Sequence, residues 1–237
     1  MLDYSAVVLG HGVGGFGTRS CWRPSAHDGH HASVGQSAEH WDGIYSTGTS
    51  TARSWYEREP THSLRLIDMT TADRSAAIID VGAGTSMLVD CLLDSGFIDV
   101  TVLDISAQAL DEVGRRLGRR ASAACFIRQD VLCWQPERYY DVWHDRAVFH
   151  FLSDPAQRSR YVSVAAGGVR AGGAVIVATF AEDGPSQCSG LPVARYAADE
   201  LADAFAEGFE PVHAERELHE TPAGPVQPFT WMILRKT

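Results

Sequence analysis

The chain has 237 residues and a formal net charge of −10, with 45% hydrophobic and 21% charged residues. This length suits one α/β domain with a short extension, and the acidity argues against a nucleic-acid partner, which needs a basic face. No apolar run reaches the roughly 20 residues of a bilayer-spanning helix, so we expect no membrane partner. Five scattered cysteines without a C-x-x-C pair indicate reduced thiols and a cytoplasmic location.

Residues 1–38 differ in composition from the rest of the chain. They are rich in Gly, Ser and His and lack sustained periodicity, which predicts a flexible N-terminal extension before one domain over 39–237. The run Gly10 to Gly15 matches G-x-G-x-x-G, but no helical pattern follows it. The histidines of the extension have no second group of ligands nearby. We therefore predict neither a dinucleotide site nor a metal site there.

From residue 39 onward, strand and helix patterns alternate along the chain. Two short helical segments, HWDGIY and the one ending in LRLI, precede the first strand. The β-rich runs that follow lie at 77–81, 100–103, 125–127, 142–143 and 174–180. The Asp154-Pro155 cap predicts a helix that ends near Gly172-Gly173. A helix at 197–206 and two strands near 209–218 and 227–235 complete the pattern. It predicts a doubly wound, Rossmann-like, mostly parallel sheet with a C-terminal antiparallel hairpin.

A glycine turn and two acidic strand ends carry the strongest chemical signal. The turn is Asp80-Val81-Gly82-Ala83-Gly84-Thr85-Ser86, and its glycines let a ligand approach the backbone at a helix N-terminus. Asp104 ends the second strand, where a carboxylate can accept both hydroxyls of a ribose. Asp130 ends the third strand, where it can accept from an adenine amine. The series indicates an adenosine-containing cofactor, and Met87 stands where a dinucleotide fingerprint requires a third Gly.

At these residues the chain resembles a known family. The segments DVGAGTS, VLDIS, QDV and YDVWHDRAVFHFL resemble successive motifs of class I S-adenosylmethionine (SAM)-dependent methyltransferases, over about residues 39–237. HWDGIY, SWY and HDRAVFHF are most similar to the branch that contains citrate synthase lysine and elongation-factor lysine methyltransferases and bacterial relatives. The resemblance implies a seven-stranded sheet, SAM as cofactor, and methyl transfer to a nucleophile on a small molecule or a protein side chain.

The resemblance also implies which residues bind the cofactor. Aromatic residues before the first strand would wall it, the glycine turn would approach its methionine part, and the strand ends would hold ribose and adenine. The residues so assigned are Trp41, Tyr45, Trp55, Asp80, Gly82, Ala83, Gly84, Asp104, Ile105, Asp130, Val131 and Arg146.

Catalysis is assigned to the polar end of the fourth strand. His144 or His150 could act as a base, with Asp145 orienting it, because a histidine pKa lies near neutrality. No metal is expected. Two other functions remain open: an NAD(P)-linked oxidoreductase on a similar sheet, and a SAM-binding partner subunit without catalysis. The sequence leaves the acceptor, the choice of histidine and the oligomeric state open.

Overall fold

The computed structural model describes Arg23–Pro24 and residues 37–237. Strands and helices alternate as the sequence predicts. The strands are β1 (Arg23–Pro24), β2 (Ala77–Val81), β3 (Asp99–Asp104), β4 (Ala124–Arg128), β5 (Tyr140–Arg146), β6 (Val169–Phe180), β7 (Gln187–Cys188), β8 (Leu191–Pro192), β9 (Phe209–Glu220) and β10 (Val226–Lys236). The helices are α1 (Ala38–Ser46), α2 (Thr61–Thr70), α3 (Leu88–Asp94), α4 (Ala107–Leu117), α5 (Pro155–Gly168) and α6 (Ala198–Ala204).

The main sheet has the strand order β1-β4-β3-β2-β5-β6-β10-β9. Strands β2 to β6 are mutually parallel, and β10 runs antiparallel to both β6 and β9. The seven-stranded, mostly parallel sheet with an antiparallel hairpin strand is therefore confirmed, and Arg23–Pro24 adds a short parallel strand beside β4. The chain order reverses at β2, between β3 and β5. In open α/β sheets a ligand site lies at the carboxyl ends of the strands on either side of such a point.

Two apolar layers, one on each face of the sheet, hold the helices in place. On α4, Leu110, Val113 and Leu117 form one buried stripe, and the Ser106 side chain caps the helix by accepting from the Ala109 N–H. On the opposite face α5 and α6 pack with Tyr161, Leu201 and other buried residues. Because both faces of the central strands are covered, β6 is buried along most of its length.

The predicted end of the helix that begins at Pro155 differs from the structure. Helix α5 ends at Gly168, not near Gly172-Gly173, because β6 already begins at Val169. The two glycines instead lie where the β5–β6 register shifts. A Cβ at position 173 would lie 2.9 Å from the Arg170 carbonyl oxygen, so this bend needs a glycine.

The predicted start of the folded domain lies close to the start of α1. Ser37 caps α1 and Ala38 begins it, so the boundary predicted after residue 38 falls in the first turn of this helix. The glycine run Gly10 to Gly15 and the histidines at positions 27, 30 and 31 lie outside the described residues. Within the part of the chain that is described, no helix is long and apolar enough to span a bilayer.

Candidate active site

A cavity of about 150 Å³ lies at the carboxyl ends of the central strands, where the chain order reverses. The central strands end at this edge of the sheet, and residues at or near their ends line the cavity. All of the predicted cofactor-binding residues line the cavity: Trp41, Tyr45, Trp55, Asp80, Gly82, Ala83, Gly84, Asp104, Ile105, Asp130, Val131 and Arg146. The fold therefore brings all twelve of these residues to one cavity.

The glycine turn after β2 is shaped by close contacts that only glycine permits. Gly82 and Gly84 have φ angles of +61° and +54°, in the left-handed region that disfavours other residues. A Cβ at position 82 would lie 1.9 Å from Cγ2 of Val148, and one at position 84 would lie 2.4 Å from the Tyr45 hydroxyl. The turn is thus enclosed on two sides, and its backbone borders the cavity directly.

Two carboxylates mark the ends of β3 and β4. Oδ2 of Asp104 accepts from the Gly84 N–H at 2.7 Å, and Oδ1 accepts from the Ser106 N–H at 2.7 Å. Burial raises the pKa of Asp104 to about 6, although these two hydrogen bonds favour the ionised form. Asp130 is held in the same manner, by the Leu132 N–H at 2.8 Å. Backbone donors thus fix both carboxylates at the cavity wall, and each oxygen retains a further lone pair.

An aromatic wall closes the cavity on the side of α1. The rings of Trp41 and Tyr45 lie 6.1 Å apart, and Trp55 meets Tyr45 edge-on at 6.4 Å. Asp42 fastens α1 to the N-terminus of α4, because its Oδ1 accepts from the Ser106 hydroxyl at 2.6 Å and from the Gln108 N–H at 3.1 Å. Burial raises the pKa of Tyr45, so its hydroxyl stays protonated against the glycine turn.

His144, the first predicted base, has both ring nitrogens engaged. Nδ1 lies 2.8 Å from Oδ1 of Asp80, and Nε2 lies 3.0 Å from the Ser63 hydroxyl. With Nδ1 donating to the carboxylate, Nε2 accepts from Ser63. The ring borders the cavity but has no free lone pair for an acceptor's proton. The predicted orienting partner is also wrong, since Asp80 and not Asp145 holds this histidine.

Asp145 and His150, the other predicted catalytic residues, do not line the cavity. Asp145 accepts from the N–H groups of Val148 and Phe149 and from the Tyr161 hydroxyl, so it fixes the loop that presses Val148 against Gly82. Its pKa is raised to about 6 by burial.

His150 is fully buried, with its ring centroid 4.5 Å from that of Phe151 and 4.9 Å from that of Phe180. Burial lowers its pKa to about 3, with the Arg146 charge acting in the same direction. The sequence pattern cannot show which side of the strand-end loop faces the core. That is why the predicted catalytic group is not assembled as proposed.

Arg146 ends β5 and lies in the cavity wall. Its Nη1 donates to the Trp55 carbonyl oxygen at 3.0 Å, and Nε lies 3.4 Å from Oε2 of Glu57. The guanidinium carbon is 5.0 Å from the centroid of the Phe229 ring. Nη2 is buried and finds no hydrogen-bond partner among the described residues. Such a group is uncommon in a folded protein and suits a site that is completed by a ligand.

Several lining residues were missed because they come from distant parts of the chain. Val148 follows β5, Phe180 ends β6, and Gln227 and Phe229 lie on β10. Their only sequence signal is alternation, since residues two apart on a strand share a face. Cys188 of β7 also borders the cavity.

A second polar cluster lies beside Arg146. Atoms of Glu57, Glu217 and His219 that could ligate a metal lie within 4.8 Å of one another. His219 is already engaged through Nε2 with the Ser54 carbonyl oxygen at 2.7 Å, and Arg146 borders Glu57. Glu217 accepts from the Trp231 indole N–H at 2.6 Å. We therefore assign this cluster a hydrogen-bonding role behind the cavity wall.

The chain is similar to known methyltransferases. Residues 78–173 match the model of the methyltransferase domain family. EEF1A lysine methyltransferase 2 of Danio rerio is 28% identical over 125 residues, which are 48% of this chain and 54% of that protein. The chain thus spans about half the length of this curated relative.

Solved structures of low identity share the fold. One comes from work on the conversion of a disulfide bond into a thioacetal group during echinomycin biosynthesis, with a TM-score of 0.67, 20% identity, and coverage of 84% of this chain and 92% of that one. Another is a Burkholderia thailandensis 1,6-didemethyltoxoflavin-N1-methyltransferase with bound 1,6-didemethyltoxoflavin and S-adenosylhomocysteine. Its TM-score is 0.61, with 20% identity and coverage of 84% of each chain.

Residues 78–173 match the methyltransferase domain model, and the fold and the cavity resemble those of class I SAM-dependent methyltransferases. The cofactor of this class is S-adenosylmethionine, and the cavity fits it. The glycine turn leaves room at the backbone, Asp104 retains lone pairs for ribose hydroxyls, and Oδ2 of Asp80 is buried without a partner among the described residues. These findings favour a methyltransferase over an NAD(P)-linked oxidoreductase.

Proposed function

We propose that the protein is an active SAM-dependent methyltransferase that acts on a small molecule or a protein side chain. The observation that carries the proposal is the alignment of Gly82, Asp104 and Asp130 at three neighbouring strand ends in one cavity. The bound cofactor would supply a methyl group activated by a sulfonium sulfur. The remainder of the reaction depends on binding, alignment and water exclusion by this chain.

Each end of the cofactor has a matching group on the cavity wall. Asp104 would accept from the two ribose hydroxyls and Asp130 from the exocyclic amine of adenine, and the Val131 N–H would donate to a ring nitrogen. Asp80 offers Oδ2, which has no partner among the described residues, to the α-ammonium of the methionine part. Gly82 permits close approach of the same part.

The aromatic wall supplies the second requirement, which is exclusion of water. Trp41 and Tyr45 lie over the cavity, and Trp41 also meets Phe151 edge-on at 5.2 Å. Removing water strengthens every charge interaction inside the site and prevents a competing nucleophile from reaching the methyl group. Since neither histidine is available as a base, we propose catalysis by alignment and desolvation.

We place this activity in the cytoplasm, without a nucleic-acid or membrane partner. No disulfide is formed among the four cysteines of residues 37–237, as expected of a reducing compartment. The net charge of −10 would repel a phosphate backbone.

A transfer assay with a labelled methyl donor tests the activity. The protein is incubated with cell lysate, which is then separated into protein and small-molecule fractions. Label in either fraction, lost with Asp104→Asn, supports the proposal and shows which kind of acceptor is used. Binding of the cofactor without transfer to any fraction would instead identify a catalytically inactive partner subunit.

A further inference from the structure

The two sides of the cavity carry opposite charge. The strands on one side of the reversal point bring Asp104 and Asp130, and β2 itself brings Asp80. The strands on the other side bring Arg146 together with the rings of Phe180 and Phe229. If the cofactor lies against the acidic strand ends, as we propose above, the acceptor must approach from the side of Arg146.

We propose that the acceptor is a small aromatic anion, bound by Arg146 and methylated at an atom that needs no deprotonation. The inference rests on the proposed methyltransferase function. Three observations carry it: the unsatisfied guanidinium, the flat apolar surfaces around it, and the absence of a usable base beside it among the described residues.

Arg146 presents a positive charge whose hydrogen bonds are incomplete. Nη1 is held by Trp55 and Nε lies near Glu57, whereas Nη2 has no acceptor among the described residues. Glu57 does not line the cavity, so it balances the guanidinium from behind. Arg146 lines the cavity and Glu57 does not, so the wall on this side carries the cation and not its counter-ion. Such a site favours an anion and disfavours an ammonium group.

The surfaces around Arg146 suit a flat molecule. Trp55, Phe180 and Phe229 border the cavity, and the Arg146 guanidinium already lies over the Phe229 ring at 5.0 Å. Aromatic faces and a guanidinium plane both stack on a flat, delocalised ligand.

The titratable groups on this side cannot remove a proton from an ammonium acceptor. His144 already bonds Asp80 and Ser63, and burial raises the pKa of the Cys188 thiol. Oδ1 of Asp80 is engaged with His144, and Oδ2 is the atom that we assign above to the α-ammonium of the cofactor. An acceptor that is already an anion avoids this difficulty, because its lone pair is free at neutral pH.

The reaction then balances without a proton transfer. The anionic atom attacks the methyl carbon, a new bond forms to that carbon, and the carbon–sulfur bond breaks. The electron pair of the broken bond stays on sulfur, which becomes a neutral thioether. One negative and one positive charge disappear together, which a water-poor cavity favours.

Two probes of equal ring size test the charge of the acceptor. The first is 4-nitrothiophenol, which is a thiolate at neutral pH, and the second is 4-nitrobenzylamine, which is an ammonium ion. We expect methylation of the thiolate and at least about tenfold lower kcat/KM for the amine. A parallel arm with 4-nitrophenol distinguishes sulfur from oxygen acceptors. Equal or preferred use of the amine, or binding of S-adenosylhomocysteine without methylation of either anion, would overturn the inference.

Three variants separate the role of Arg146 from damage to its surroundings. We expect Arg146→Gln to lower kcat/KM for the thiolate about tenfold or more, and Arg146→Lys to restore part of it. Glu57→Gln breaks the same ion pair but keeps the cation, so it should retain kcat/KM within about threefold. An equal loss in Glu57→Gln would mean that the ion pair acts only structurally, and would overturn the role of Arg146.

Calorimetry with S-adenosylhomocysteine distinguishes this inference from the proposed function. The resemblance to methyltransferases assigned Arg146 to the cofactor, whereas the acceptor role proposed here predicts that Arg146→Gln binds S-adenosylhomocysteine within about twofold of the wild type. A large loss of this affinity in Arg146→Gln would assign the guanidinium to the cofactor's carboxylate and overturn the acceptor role while the methyltransferase function stands. Absence of binding to the wild-type protein would overturn both.

Discussion

The side of the cavity that we assign to the cofactor and the side that we assign to the acceptor are built in different ways. On the cofactor side, Asp104 is fixed by the N–H groups of Gly84 and Ser106, which belong to the same strand ends and turns. On the acceptor side, Arg146 is fixed by the Trp55 carbonyl oxygen, 91 residues away in sequence, and stacks on Phe229. The cofactor side is thus made of local backbone geometry, and the acceptor side of long-range side-chain contacts.

This difference has a functional consequence. Backbone N–H groups fix the carboxylates at the strand ends. Any protein with this sheet and these turns can therefore bind the same cofactor. The acceptor side is formed by side chains of β6, β10 and the loop before α2. Substitutions at these positions can change the acceptor side without altering the cofactor site. Likeness of fold therefore says little about the acceptor.

The glycine turn should give the largest effect on the cofactor side. We expect Gly82→Ala to destabilise the protein and abolish cofactor binding, because the new Cβ would lie 1.9 Å from Val148 in a left-handed backbone. Gly118→Ala is the matched control, with φ +56° and nothing within 4 Å of the new Cβ. It should cost only the backbone penalty of a non-glycine residue in this conformation, about 1–3 kcal/mol. The free energies of unfolding are measured by chemical denaturation. Equal values for Gly82→Ala and Gly118→Ala would contradict the close packing at Gly82.

Substitution of Asp104 should have the next largest effect, which we expect on the affinity for the cofactor. A charge-assisted hydrogen bond contributes about 1.5–3 kcal/mol, so Asp104→Asn should weaken S-adenosylhomocysteine binding about tenfold or more. Because the pKa of Asp104 is raised to about 6, wild-type affinity should fall as the pH drops below that value, and this dependence should vanish in the variant.

Asp141→Asn serves as the control for Asp104→Asn. Asp141 accepts from the Ala77 N–H at 2.7 Å, away from the cavity, so its loss should leave the affinity within about twofold. An unchanged affinity in Asp104→Asn would remove this carboxylate from the cofactor site.

A pH-dependent stability change should report the buried Asp145. Its folded pKa of about 6 lies above the unfolded value of about 4, so its favourable contribution is complete below pH 4 and is lost as the pH rises through 6. The free energy of unfolding of the wild type, measured relative to Asp145→Asn, should therefore decrease by on the order of 2 kcal/mol over that interval. A difference that rises with pH would show that the buried carboxylate is favoured as an anion.

Substitution of His150 should have the smallest effect, which we expect on turnover. Its low pKa and its position among Phe151 and Phe180 exclude it as a base at neutral pH, whereas loss of a true base lowers turnover about 10²–10⁴-fold. We expect His150→Leu to keep turnover within about threefold of the wild type and to keep the same pH–rate profile. A folded variant with a hundredfold loss of turnover would restore the histidine to the mechanism.

The sequence predicted most of the fold and the cofactor side for one physical reason. Strand runs, the Ser106 cap and the glycine turn are local signals, and parallel strands bring their carboxyl ends to one edge. The positions of Asp104 and Asp130 follow from that rule alone. The end of α5 was misplaced because Gly172 and Gly173 serve equally well in a strand bend and at a helix end.

The acceptor side could not be predicted because it depends on packing between distant residues. The motif HDRAVFHF suggested two catalytic histidines, but Asp80 and Ser63 saturate one and the aromatic core covers the other. Phe229 enters the site only through the register of β10 against β6. No local pattern reports such a register.

Calorimetric titration of the wild-type protein with S-adenosylhomocysteine and with NADH tests the central claim directly. The cavity at Gly82, Asp104 and Asp130 is assigned to a sulfur nucleoside and not to a dinucleotide. We predict heat from S-adenosylhomocysteine with one site per chain, and far weaker binding of NADH. Binding of NADH, with no heat from S-adenosylhomocysteine or S-adenosylmethionine, would contradict it.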